Sequence, residues 1–203
     1  MKELKVLSLF DGISCGMVAL ERAEIPVEKY VAYEIDEDAI RVSKSNYPQL
    51  EHKGDVFEAK YIEGKFDLLI GGSPCTYWSI AKAGNNGEKG ERETTASGLG
   101  WDLFSQYVRA LKEAKPKYFL YENNASMSDE IKKCITEELG VEPIEIDSAD
   151  FSAQIRKRLY WTNIPIEEWE KKDLKIKDII YDNEYKVNNF DKYQETKIIS
   201  KDG

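Results

Sequence analysis

Residues 4–10, Leu-Lys-Val-Leu-Ser-Leu-Phe, make an apolar run that stops abruptly at Asp11-Gly12, and no other feature limits the fold as much. The run has the length of a buried strand, and a strand with two dry faces needs helices on both sides of its sheet. The chain supplies them in alternation. Residues 17–24 read as a short helix opened by the turn Asp-Gly-Ile-Ser-Cys-Gly, 29–35 as a second strand, and 37–46 as a helix with Asp36 as its N-cap. Residues 66–70 (Phe-Asp-Leu-Leu-Ile) read as a third strand, broken by Gly71-Gly72-Ser73-Pro74. Helical spacing resumes at Leu103, Phe104, Tyr107, Val108 and Leu111. The strand 117–121 follows, then a helix with Ile131, Ile135 and Leu139 on one face, and strands at 141–146 and near 158–162. Segment 82–100 is polar, Gly-rich and without period, so it reads as a mobile loop. Strands alternating with helices indicate β-α-β units on a parallel sheet, where ligands sit at the carboxyl ends of strands.

Composition narrows the chemistry. At 203 residues the chain fits one domain, and 41% hydrophobic with 33% charged residues describes a soluble globule with no run long enough to span a membrane. The N-terminus shows no signal-peptide pattern, and three scattered cysteines point to a reducing, cytoplasmic setting. A single histidine, His52, excludes a His-rich metal site, and without C-x-x-C spacing no metal is expected. A net charge of −9 argues against gripping nucleic acid with the whole surface, so any such contact must be local.

Four constellations fall at strand ends. The turn Phe10 to Gly16 leaves a strand and opens a helix, Glu34 ends the next strand where a carboxylate can accept ribose hydroxyls, and Asp55 follows Gly54 where it can take an adenine amino group. The same residues are compatible with a tight turn and two solvated acids. The spacing is G-x-x-x-G, not G-x-G-x-x-G, and G-x-x-x-x-G-K-[ST] is absent, which favours a nucleoside without pyrophosphate such as S-adenosylmethionine. Cys75, stiffened by Pro74, stands where a thiol pKa can fall and the thiol serve as nucleophile, or where a small buried hydrophobe would sit. Glu122 closes the apolar strand Lys-Tyr-Phe-Leu-Tyr and can hold a heterocycle nitrogen; an Asn123-Asn124 helix cap beside a solvated Glu is the alternative. Gln154, Arg156 and Arg158 alternate onto one face of a basic stretch and can meet phosphate and a base carbonyl, although such runs are commonly solvated.

Taken in order, F-D-G-x-x-x-G, E-I-D, G-D-V, G-S-P-C-x-x-x-S, E-N and Q-x-R-x-R resemble the cytosine-5 DNA methyltransferases, nearest to de novo-type and phage or bacterial members, over about residues 4 to 164. The resemblance implies an α/β, Rossmann-like S-adenosylmethionine-dependent methyltransferase sheet. It implies that Phe10, Asp11, Gly12, Ile13, Ser14, Cys15, Glu34, Ile35, Asp55, Val56, Pro74 and Leu103 bind S-adenosylmethionine. It makes Cys75 the nucleophile adding to cytosine C6, Glu122 the group on the ring N3 and amino group, Arg158 the contact to O2, and Arg156 a contact to phosphate or the catalytic loop. A cytosine in a duplex must be flipped out to react, and loop 76–100 is placed to close over it.

The chain departs from that pattern in three ways. Asn124 stands where the family commonly has Val, and Trp78 where Phe or a small residue is usual. The target-recognition region and closing motifs expected after Q-x-R-x-R are absent, since 39 residues follow Ile164. The expected organisation is a catalytic domain over 1–165 and a linker-like tail over 166–203. The expected activity is transfer of methyl to C5 of cytosine in DNA, as in restriction-modification, in a bacterial or phage-infected cell, the chain being either the catalytic half of a split enzyme whose second polypeptide supplies recognition or a truncated product. The alternatives are a non-catalytic or partner-dependent S-adenosylmethionine-binding subunit of a split methyltransferase, and a cytosine methyltransferase acting on RNA.

Overall fold

In each central strand, odd and even residues face different layers. The structure is a computed structural model and describes residues 2–80, 91–172, 174, 175 and 178. Strands β1 (Leu4–Leu9), β2 (Val27–Tyr33), β3 (Glu51–His52), β4 (Leu68–Gly71), β5 (Tyr118–Asn124), β6 (Ile144–Asp147) and β7 (Lys157–Thr162) form one sheet in the order β3-β2-β1-β4-β5-β7-β6. Leu7, Leu9, Val31, Tyr33, Leu69, Phe119 and Tyr121 enter one core with α3 (Leu99–Ala114) and α4 (Asp129–Leu139). Val6, Tyr30, Ala32 and Leu68 enter a second core with Leu20 of α1 (Cys15–Arg22) and with Leu50, which follows α2 (Glu37–Asn46). The mixed α/β sheet with helices on both faces is therefore present.

It is not wholly parallel, as the alternation had suggested. β2, β1, β4 and β5 run parallel, while β7 is antiparallel to both β5 and β6. A parallel return needs a crossover of about a dozen residues or more. Only residues 148–156 separate β6 from β7, so β7 turns back antiparallel and inserts between β6 and β5.

The larger core is built on aromatic rings. Tyr121 lies 5.1 Å from Phe104, 4.8 Å from Tyr107 and 5.8 Å from Trp161, centroid to centroid, all in tilted or edge-on geometry. Such pairs add about 0.5–1.5 kcal/mol each beyond their burial. Trp78 is fully buried and edge-on to Phe104, so its bulk fills this core. Helix ends follow local chemistry. Asp36 accepts N–H bonds from Asp38 and Ala39, and Ser128 caps α4 through the Ile131 N–H. The second face is covered less evenly. Beyond α1, Ile70, Leu120 and Tyr160 line an open cavity of about 730 Å³. Among the described residues, no helix is long and apolar enough to cross a membrane.

Gly71, the last residue of β4, pairs with Leu9 of β1. A Cβ there would come 2.7 Å from the Leu9 carbonyl oxygen and 3.2 Å from the Tyr107 ring. Backbone cannot swing aside, so Gly71→Ala is expected to destabilise the domain by about 2 kcal/mol. Urea unfolding measures this directly, and an unchanged midpoint would show that the strands separate without penalty.

Candidate active site

The parallel strands end in register. Leu9 stands opposite both Tyr33 and Gly71, and Gly71 opposite Tyr121. The residues that follow these paired positions, Glu34, Phe10, Gly72 and Glu122, therefore emerge as one row at the same edge of the sheet. Three of the four constellations meet in that row. The cavity of about 730 Å³ opens along it and is lined by Phe10, Asp11, Cys15, Gly72, Glu122 and Arg158, among others. Of the other predicted site residues, Gly12, Ile13, Ser14, Glu34, Ile35, Asp55, Val56, Pro74, Cys75 and Leu103 stand outside its lining.

At one end of the row lies the turn. Phe10, Gly12 and Ser14 all have positive φ, so the chain coils tightly before α1. The Gly12 N–H donates to Glu34 Oε2 at 2.7 Å, while Ile35 and Asp36 N–H groups donate to Oε1 at 2.8 and 2.9 Å. Oε1 is thus saturated and Oε2 keeps one lone pair, room for one hydroxyl and not for both hydroxyls of a ribose. Ile13 and Ile35 are exposed beside it, at 49% and 70%. Asp11 points inward: its carboxylate accepts Tyr30 Oη–H and Ser14 Oγ–H. Gly16 lines the cavity, and its absent Cβ makes way for Ile70 and for the Tyr30 hydroxyl, 2.7 Å from where that Cβ would be.

Asp55 caps a 3-10 turn through the Phe57 N–H, and Val56 is buried in the core. This stretch is held by Arg109, which donates to the carbonyls of Val56 and Ala59 at 2.8 and 2.9 Å and stacks on Tyr61. Leu103 is half-buried against the same core.

At the other end lies Glu122. It was read as a strand tip, but β5 runs on to Asn124 because β7 pairs there, Glu122 opposite Tyr160 and Asn124 opposite Arg158. Residues opposite each other share a face, so Arg158 is the diagonal neighbour of Glu122. Its Nε lies 2.7 Å from Glu122 Oε1, with only 17% of the Arg158 side chain exposed. Burial pushes the Glu122 carboxyl above its usual range, against the opposing pull of Arg158 and Arg156. Strand alternation does not place Gln154 and Arg156, because β7 begins at Lys157. Arg156 is fixed instead by its backbone, N–H to Asp147 Oδ1 and carbonyl to Ser148 N–H, and reaches the same cavity.

Cys75 begins a 3-10 turn directly after exposed Pro74, and its thiol is half-buried. The turn is held from β5. Asn123, one per cent exposed, donates to the Ser73 carbonyl and to Tyr121 Oη, which is 2.7 Å from Ser73 Oγ. Asn124 in turn donates to Asn123 Oδ1 and accepts from Ser126. The Asn pair is thus a buried brace, not a helix cap. Of the polar loop, residues 81–90 lie outside the described residues. The remainder departs from the expected mobile loop: the Glu93 N–H donates to the Tyr77 carbonyl, Arg92 donates to the Ser126 carbonyl, and the Glu93 carboxylate accepts the Gly100 N–H in the first turn of α3.

Sequence reasoning did not find Tyr30, Ser43, Arg109, Tyr121 or Asn123. Tyr30, Ser43 and Arg109 stand in no motif, Tyr121 and Asn123 flank or complete the E-N pair without a role assigned to them, and the roles of all five come from strand register and from helix faces that only the assembled sheet brings together. Among the described residues, no group of three His, Cys, Asp or Glu side chains is placed to hold a metal ion.

Comparison with known proteins agrees with this arrangement. The chain is 32% identical to the orphan methyltransferase M.SPRI of Bacillus phage SPR over 94% of its length, and 31% identical to the type II methyltransferase M.FnuDI of Fusobacterium nucleatum over 88%. It spans 45% and 55% of those two proteins. A solved E. coli prophage-encoded protein, described as a DNA modification methyltransferase, shares the fold at a TM-score of 0.58 and 23% identity, over 79% of this chain and 46% of that one. The sequence profile of the C-5 cytosine-specific DNA methylases matches residues 4–201. With that match and those relatives, the chain belongs to the C-5 cytosine-specific DNA methylase family.

Proposed function

We propose that the chain carries the catalytic part of a DNA cytosine-5 methyltransferase, using S-adenosylmethionine and a covalent Cys75–C6 adduct. The observation that carries this is that a nucleoside-binding turn (Phe10, Asp11, Cys15) and a base-holding pair (Glu122, Arg158) line one cavity, with Glu34 tied to that turn through the Gly12 N–H. The residues present fit the cofactor. The cavity has the volume of a small-molecule site, Oε2 of Glu34 retains an acceptor position, and a Cβ at Gly72 would lie 2.6 Å from the Glu122 carbonyl oxygen, so that position must stay small. When bound, S-adenosylmethionine supplies an electrophilic methyl group.

The chain's own residues supply the rest. Cytosine C5 is a poor nucleophile until electron density is pushed into the ring. The Cys75 thiolate adds to C6, and Glu122, whose burial favours its protonated form, donates to N3 and so accepts the charge that develops there. Arg158 holds the Glu122 side chain in place and faces the base O2. C5 then takes the methyl group, a base removes the C5 proton, and the thiolate leaves as the ring regains its double bond. A flipped-out base is required, since these groups lie inside a cleft.

Transfer of labelled methyl to duplex DNA, with tRNA alongside, tests this reading. Cys75→Ser is expected to abolish transfer and leave S-adenosylmethionine affinity within about twofold; full activity in that variant would exclude the adduct, and label in tRNA alone would exclude DNA as substrate. Glu34→Ala is expected to weaken the cofactor by about 1–3 kcal/mol, since it removes a ribose acceptor and the clamp on the Gly12 N–H. Calorimetric titration measures it, and equal affinity would remove Glu34 from the site. The raised Glu122 pKa also has a stability signature. The folded state binds more protons than the unfolded one between the ordinary glutamate value and the raised one, so stability falls as pH rises through that window. Glu122→Gln is expected to flatten this fall in denaturation midpoints measured against pH. A slope that persists in the variant would assign it to another group.

A further inference from the structure

The single histidine of the chain has no place in the chemistry above, yet it ends a hydrogen-bond chain that reaches the cofactor turn. His52 Nε2 lies 3.1 Å from Ser43 Oγ, Ser43 Oγ lies 2.5 Å from Ser14 Oγ, and Ser14 Oγ lies 2.5 Å from Asp11 Oδ2. From the opposite side Tyr30 Oη lies 2.6 Å from Asp11 Oδ1. Ser14 and Ser43 are fully buried, and Tyr30 and Asp11 are 3% and 8% exposed. The five side chains come from the β1–α1 turn, β2, α2 and β3.

Counting protons fixes the direction of every bond. The Asp11 carboxylate only accepts, so Ser14 and Tyr30 both donate to it. Ser14 has then spent its one proton, and Ser43 must donate to Ser14. Ser43 has spent its own, so it must accept from His52. The imidazole is therefore the Nε2–H tautomer, with its lone pair on Nδ1. The structure agrees on a point the count did not use: Nδ1 is buried and has no partner. A lone pair can be left so at modest cost, whereas an N–H there would be an orphaned donor. Burial also lowers the His52 pKa and raises that of Tyr30, keeping one neutral and the other a donor.

The chain has a mechanical consequence. Ser14 occupies the N-cap of α1, where a serine hydroxyl would ordinarily accept an N–H of the first turn, but it makes no cap bond and is held left-handed at φ 65°. A left-handed serine is unfavourable without compensation. The compensation is the buried chain, which draws the hydroxyl inward. The same chain occupies both carboxylate oxygens of Asp11.

We propose that His52, Ser43 and Tyr30 are positioning residues for the cofactor turn, acting through a one-way donor chain that holds Ser14 and Asp11 in the shape that receives S-adenosylmethionine. This rests on the cofactor reading given above. Because the protein has one histidine, a long-range ¹⁵N–¹H spectrum of the full chain shows one imidazole. At neutral pH it is expected to show Nε2 protonated and Nδ1 not, without any ligand; the opposite tautomer would overturn the chain. Titration with S-adenosylhomocysteine, the stable product, is the second measurement. Ser43→Ala and His52→Leu are expected to weaken binding about tenfold, and His52→Gln, which restores a donor at the Nε2 position, to recover it to within about threefold. Unaltered affinity in folded Ser43→Ala, or no recovery in His52→Gln, would reduce the chain to general stability. Failure of the wild-type protein to bind, with the expected tautomer in place, would overturn the cofactor reading and the positioning role together.

Discussion

The pairing of β1 with β2 on one side and β4 on the other determines where everything else can be. Val6, Leu7 and Leu9 of β1 are wholly buried, so the strand is dry on both faces and bonded on both edges. A strand in that position cannot slip by one residue without exchanging its two cores. Leu9 is thereby locked opposite Tyr33 and Gly71, and the residues after those three are set side by side. The active-site row is the end of a register, not a property of any loop. Glycine at position 71 is part of the same constraint, since the Leu9 carbonyl leaves no space for a side chain there.

Much of this was legible in the chain, and the reasons are local. An apolar run broken by Asp-Gly or Gly-Gly-Ser-Pro marks a strand end whatever the rest of the protein does, and Asp36 caps its helix through neighbours two and three residues away. What was not legible depends on partners far along the chain. The direction of β7 follows from the shortness of its connection to β6, and that direction extends β5 past its neighbours so that Glu122 lies within a strand. Arg156 lacks the strand its alternation had implied, and its backbone is anchored by Asp147. Trp78 and Asn124 looked like departures near the pocket. Both are buried, one in the aromatic core and one in a polar brace, so the differences belong to packing.

The charge arithmetic also finds a physical place. A chain of net charge −9 is not drawn to a polyanion by its overall field, and whatever attraction it has must be concentrated. Arg156 and Arg158 concentrate it at the cavity mouth. Arg158 is bound to Glu122, so its charge is partly neutralised, and Arg156 is left exposed beside it. The pair therefore divides into one arginine paired with a carboxylate and one whose charge is exposed at the cavity.

Both reactive loops are fixed by the same device. The cofactor turn is tied to β2, α2 and β3 by the Asp11 cluster, and the thiol turn is tied to β5 by Asn123, Tyr121 and Ser73. In each, a loop that leaves a parallel strand has no ladder of its own, and side-chain hydrogen bonds in a dry interior take the place of one. Such bonds are directional where apolar packing is not, and a half-satisfied cluster is costlier than none, so the loop has few alternatives. Apolar residues at these sites would stabilise the domain at least as well, but would leave Phe10 and Cys75 less narrowly placed. The buried polar clusters are thus the means by which a sheet, whose register is accurate only up to its last paired residue, extends that accuracy into the loops beyond it.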